Sequence, residues 1–119
     1  MIPKFRVWDR RLNEMHSSDE VIIQIKGRNI LVALADSLHQ ISDYSLMQST
    51  GIYDNDTVEI FDKDIVRDVD DGAFGLVKYE EGQFCVTFGN VNIALDEVSF
   101  YVQVIGNIYE SKELLEEER

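Results

Sequence analysis

The carboxylates of this chain are its largest store of reactive groups. Asp54-Asn55-Asp56 followed by Glu59 has the opening of a calcium loop. Such a loop needs a sharp-turn glycine at its sixth position and a bidentate glutamate at its twelfth. Glu59 and Ile65 stand there instead, so an EF-hand is excluded. Asp62 with Asp64, and Asp68 with Asp70, are spaced two apart, which on a strand turns each pair to one face. Two such pairs are the minimum from which a Mg²⁺ site could be built. Aspartates at turns and strand ends also serve local backbone amides. That simpler role is preferred, and no metal or other cofactor is assigned.

Nucleophilic chemistry has even less to draw on. Cys85 is the single cysteine, and His16 and His39 lie far from it and from each other in sequence. A thiol nucleophile needs a base within hydrogen-bond reach. Cys85 alternates with Phe84 and Val86, so it should point away from an aromatic face and be partly exposed. There is no glycine-rich phosphate loop, zinc-type cysteine pair or serine elbow. No catalytic residue is assigned, and the balance favours a binding protein over an enzyme.

Binding chemistry has two candidates. Lys4, Arg6, Arg10 and Arg11 make a basic strip that carries Trp8. Cations beside an aromatic could track a single strand of nucleic acid and stack its bases. Yet the whole chain has 11 Lys and Arg against 23 Asp and Glu, a net charge of −12. Phosphate binding depends on counterion release by cations, so this balance opposes it. Aromatics in strands are also more often packing residues. The second candidate is the acidic middle: between residues 54 and 81, ten acids face only Lys63, Arg67 and Lys78. Complementary basic and acidic regions could pair within the fold, between copies, or with a protein partner. In its sharpest form, the acidic segment would imitate nucleic-acid phosphates and occupy a host DNA-binding protein. Arg6, Trp8, Arg10, Asp62, Asp64, Asp68 and Asp70 are therefore the candidate interaction residues.

The elements that must position these residues are short strands. Asp64–Val69, Gly75–Tyr79, Gln83–Phe88, Val91–Leu95 and Phe100–Ile105 alternate or are rich in β-branched and aromatic residues. Asp70-Asp71-Gly72, Glu81-Gly82 and Gly89-Asn90 supply turns between them. Phe100–Ile105 reads as the strongest strand. Earlier in the chain, Phe5–Trp8 reads as a strand, and Val21–Lys26 and Asn29–Leu34 as a hairpin about Gly27-Arg28. Residues 36–47 fit neither helical nor strand period. Ser111–Arg119 reads as a short helix, with Ser111 and Glu113 suited to its N-terminal end. At 119 residues, with 45% apolar residues, one core can be buried without staples. No run approaches the roughly 20 apolar residues of a membrane helix, and the basic N-terminus is followed by no apolar stretch of a signal peptide.

Three stretches carry a family likeness. Ile2-Pro3-Lys4-Phe5-Arg6-Val7-Trp8-Asp9 is similar to the opening of YopX-family proteins, where phenylalanine–arginine–alanine–tryptophan–aspartate is typical. Leu46-Met47-Gln48-Ser49-Thr50-Gly51-Ile52-Tyr53-Asp54, continuing into Glu59–Val66, is similar to the family's central run. Val104-Ile105-Gly106-Asn107-Ile108-Tyr109-Glu110 resembles its closing signature, followed by Leu114 and Leu115. Two departures stand out. The family's asparagine–glycine turn is Asp56-Thr57 here, and its glutamate–glycine–aspartate is Asp62-Lys63-Asp64.

The resemblance implies phage or prophage origin and a β-rich, partly barrel-like fold, and it implies no chemistry. The expectation is thus a mainly β (β-rich α+β) protein. Short antiparallel strands form a small barrel-like or meander sheet, with a short C-terminal helix. It is one domain over 1–119, in which 1–50 and 51–119 could form two sublayers. It acts in the bacterial cytoplasm on a protein partner or on copies of itself, away from membranes; the alternatives are nucleic-acid binding through the N-terminal Arg and Trp strip and, behind it, a metal-dependent enzyme on the Asp-rich segment.

Overall fold

Antiparallel pairing dominates the computed structural model, which describes residues 3–34 and 37–117. Positions 1, 2, 35, 36, 118 and 119 lie outside the described residues, including the first residue of the ambiguous 36–47 stretch and the last two of the expected C-terminal helix. The chain divides into two compact units, Met1–Gln48 and Ser49–Arg119.

In the first unit, β1 (Phe5–Asp9) lies between β2 (Glu14–His16) and the first half of β6 (Tyr44–Tyr53). A second sheet has the order β3 (Ile22–Lys26), β4 (Asn29–Leu34), β5 (Ser37–Gln40). The β3–β4 hairpin closes about Gly27-Arg28, as the sequence suggests, with Gly27 at φ 61°. The stretch that fits neither period resolves into β5, a 3-10 turn at Ile41–Asp43 and the start of β6. Val7, Val32 and Tyr44 form the core, flanked by Val21, Ile23, Leu34, Ile41 and Leu46.

The second unit is a meander with one late addition. The second half of β6 pairs with β7 (Glu59–Phe61). Then β8 (Asp64–Asp68), β9 (Phe74–Glu80), β10 (Gln83–Phe88) and β11 (Val91–Ala94) pair in succession, and β12 (Val102–Asn107) adds to the free side of β8. Helix α1 (Leu95–Val98) and a 3-10 turn (Ser99–Tyr101) bridge β11 to β12, and α2 (Lys112–Glu117) follows. Ile60, Val66, Val77, Val86, Leu95 and Val102 make a wholly buried core, all but Leu95 β-branched and so suited to strand packing. Gly75 belongs to this packing. A Cβ there would sit 2.5 Å from Val86 Cγ1 and 2.8 Å from Phe88 Cε1, so only glycine leaves room.

The two departures from the family pattern have a backbone consequence. Thr57 and Lys63 stand where the resemblance would place glycine, and both hold positive φ, 61° and 70°. The left-handed conformation costs an L-residue about 1–2 kcal/mol, and a β-branched one is the worst placed. Thr57→Gly is therefore expected to stabilise the chain, by up to about 1 kcal/mol after glycine's greater unfolded-state entropy is deducted. A thermal melt should move upward by a few degrees. A fall would mean that the Thr57 side chain contributes more than its strain costs.

Two placements differ from expectation. Phe100 and Tyr101 precede the strand that was to begin with them, because β12 starts at Val102. Cys85 is 4% exposed rather than partly exposed as expected. It and its neighbour Val86 are both buried although they point to opposite faces, so β10 is covered on both sides.

Candidate interaction surface

Asp54, at the end of β6, organises the most distinctive surface of the second unit. Its carboxylate is 5% exposed and takes three backbone amides: Oδ1 accepts from Asp56 N and Val58 N, each at 2.8 Å, and Oδ2 from Val104 N at 2.7 Å. A buried carboxylate satisfied by several amides locks the segments that supply them. Asn55 extends the lock. Its N donates to Val102 O at 2.9 Å and its Nδ2 to Phe100 O at 2.7 Å. Val69 N then donates to Tyr101 O at 2.8 Å. Segments 53–58, 68–69 and 100–104 are thus joined through the backbone.

On this fixed base stand large apolar side chains that the fold leaves outside. Phe100 is 75% exposed and Tyr101 54%, with Tyr53, Val58 and Val69 also exposed. The turn carrying the two aromatics is held from both ends, since Leu95, Ser99 and Val102 are buried around it. Phe100 is the most exposed of the large apolar residues among the described residues. Single exposed apolar residues are ordinary, but two adjacent aromatics on one hydrogen-bonded turn, with more exposed apolar residues on the segments bonded to it, make a candidate site of interaction. Polar groups rim it: Gln103 Nε2 donates to Asp56 Oδ2 at 2.9 Å, and Arg67 Nη2 to Gln103 Oε1 at 3.1 Å.

Sequence reasoning missed this surface by extending β12 backward. The signal was present. Leu95, Val98 and Val102 recur at helical spacing, and Asp96 and Glu97 sit in the first turn, where acids favour a helix start. That phase turns Phe100 and Tyr101 outward.

Of the residues singled out from the sequence, Arg6, Trp8 and Arg10 fall in the first unit and Asp62, Asp64, Asp68 and Asp70 in the second. Trp8, in the central strand β1, is 8% exposed, so it presents little face for stacking. Arg6 is partly buried. Arg10 is exposed but donates to Ser45 Oγ at 3.1 Å and to Ser42 O. Arg11 lies 3.6 Å from Asp9 and 3.8 Å from Asp43, and donates to the Tyr44 hydroxyl. Asp62 and Asp64 do not share a strand face, because Asp62 is in the turn before β8. Asp64 is fully buried and accepts from Phe61 N at 2.8 Å. Asp68 Oδ1 accepts from Asp70 N and Asp71 N within the β8–β9 turn. These are the local amide contacts that turn aspartates favour. Among the described residues, no three His, Cys, Asp or Glu side chains form a group that could hold a metal ion. Nor is any helix there long and apolar enough to cross a membrane.

Asp9 is the buried carboxylate at the end of β1. Burial raises its pKa, but amide donation from Leu12 and Arg11 and the Arg11 charge outweigh that and hold it below its ordinary value. A depressed folded-state pKa gives stability that is present above the unfolded value, near 3.9, and lost as pH falls through the folded one. Melting temperature should therefore decline below about pH 4, and Asp9→Asn should flatten that limb. An unchanged acid limb in the variant would remove Asp9 from the account.

The match to known proteins follows the whole fold. The profile of the YopX protein family matches residues 4–116. The crystal structure of protein EF1440 from Enterococcus faecalis is similar at 27% identity and a TM-score of 0.72, over 97% of this chain and 99% of that one. The crystal structure of YopX from Bacillus subtilis shares the fold at 24% identity and a TM-score of 0.67, over 93% and 96%. No curated protein matches the chain. With the profile match running through both compact units, this chain belongs to the YopX family.

Proposed function

We propose that this YopX-family chain is a phage or prophage accessory protein that works in the bacterial cytoplasm by protein–protein contact, through the aromatic surface of its second unit. One observation carries the reading: Phe100, 75% exposed, and Tyr101, 54% exposed, stand on a turn anchored by Leu95, Ser99 and Val102. Burying an aromatic of this size stabilises a complex by about 1.5–3 kcal/mol. Rigid mounting spares the ordering cost that weakens contacts made by mobile loops. Nucleic-acid binding through Arg6, Trp8 and Arg10 has less support, because Trp8 is mostly buried and Arg10 is engaged with Ser42 and Ser45.

The test is affinity capture from nuclease-treated host lysate, with the wild type beside a Phe100→Ala/Tyr101→Ala variant. Both aromatics are exposed, so the variant should keep its circular dichroism spectrum and melting temperature. Its capture of the partner should fall at least about 30-fold, the effect of one hot-spot residue of roughly 2 kcal/mol. Equal capture by both proteins would move the contact elsewhere.

A further inference from the structure

We infer that the partner on the aromatic surface is a protein presenting a cationic face, rather than the same face of a second copy of this chain. The inference rests on the proposed protein-binding role and specifies its chemistry. Residues 1–48 hold six bases and six acids, whereas residues 49–119 hold five bases and seventeen acids. The whole net charge of −12 therefore belongs to the unit that carries Phe100.

The segments that carry the aromatics, and those hydrogen-bonded to them, bear part of that charge. Asp56, Asp70, Asp71, Asp96 and Glu97 are exposed on the segments that carry or adjoin the patch. Arg67 is the base nearest in these segments, and its guanidinium donates to Gln103. A two-fold dimer through this face would set one acidic rim against another, because an isologous contact matches each patch with itself. Like charges so juxtaposed oppose association. A face bearing arginine or lysine around an apolar recess meets both features. Its recess takes Phe100, its cations meet the rim, and a guanidinium can lie over an exposed ring.

The probes are two labelled amphipathic peptides with the same leucines, one with arginines and the other with glutamates on the polar face. Each is titrated into the full chain at low and near-physiological salt. The arginine peptide should bind, more weakly as salt rises, and the glutamate twin should not. Phe100→Ala leaves net charge unchanged, yet should weaken arginine-peptide binding at least about tenfold. Asp70→Asn/Asp71→Asn/Glu97→Gln should reduce its salt dependence. Several outcomes overturn the inference: no arginine-peptide binding, equal binding of the glutamate twin, or indifference to Phe100→Ala. So would a wild-type dimer in sedimentation equilibrium that Phe100→Ala dissociates. The two claims fail separately. If lysate capture still depends on Phe100 while the peptides show no preference for arginine, the surface stands and its cationic partner does not.

Discussion

Asp54→Ala should cost the second unit about 3–5 kcal/mol, a loss large enough to remove much of a small domain's stability. The reason is the number of amides on one side chain. Asp56 N, Val58 N and Val104 N all donate to it at 2.7–2.8 Å, and the carboxylate is 5% exposed. Hydrogen bonds to a charged acceptor contribute about 1.5–3 kcal/mol each, and donors left buried without a partner keep their desolvation cost. Asp54→Asn retains the shape but turns an amide nitrogen toward backbone donors, so it should recover only part of the loss. Chemical denaturation followed by circular dichroism would measure both. In mild denaturant the alanine variant should also lose partner binding, since the same carboxylate secures the segments beneath Phe100 and Tyr101. A cost below about 1 kcal/mol would show that water replaces the carboxylate.

Trp8→Ala should cost about 3–5 kcal/mol as well, for a different reason. Trp8 is 8% exposed in a strand paired on both sides, with Met15 and Ser45 as its cross-strand partners. Removing so large a side chain leaves a cavity whose cost adds to the lost transfer energy. The variant thus separates two accounts of the N-terminal strip. A packing residue gives a lower denaturation midpoint with no specific binding defect. A stacking residue gives a stable protein that no longer binds a single-stranded oligonucleotide, and that outcome would revive the nucleic-acid reading.

The sequence made the strands of the meander legible because they obey local rules. Asp70-Asp71-Gly72, Glu81-Gly82 and Gly89-Asn90 do connect β8, β9, β10 and β11, and Gly72, Glu81, Gly82 and Gly89 hold the positive φ such turns need. The family resemblance carried further, since the family profile matches residues 4–116. The interaction surface was not legible in the same way. Phe100 and Tyr101 have high strand propensity, and propensity says nothing of which side of a boundary they fall on. Their exposure follows from Leu95, Val98 and Val102 being drawn into the core, a helical spacing that the strand propensity of Phe100 and Tyr101 masks. Asp64 and Asp54 show the converse. Charge suggests a surface residue, but amides supplied by neighbouring backbone hold both carboxylates inside.

The most direct measurement places a photo-crosslinking phenylalanine analogue at position 100 of the full chain in the bacterial host, with position 79 as control. Tyr79 is similarly exposed, at 58%, but belongs to β9, away from the 3-10 turn in sequence. The account predicts a discrete adduct with a different protein from position 100 and none from position 79. Adducts of the same pattern from both positions, or none from position 100, would contradict it.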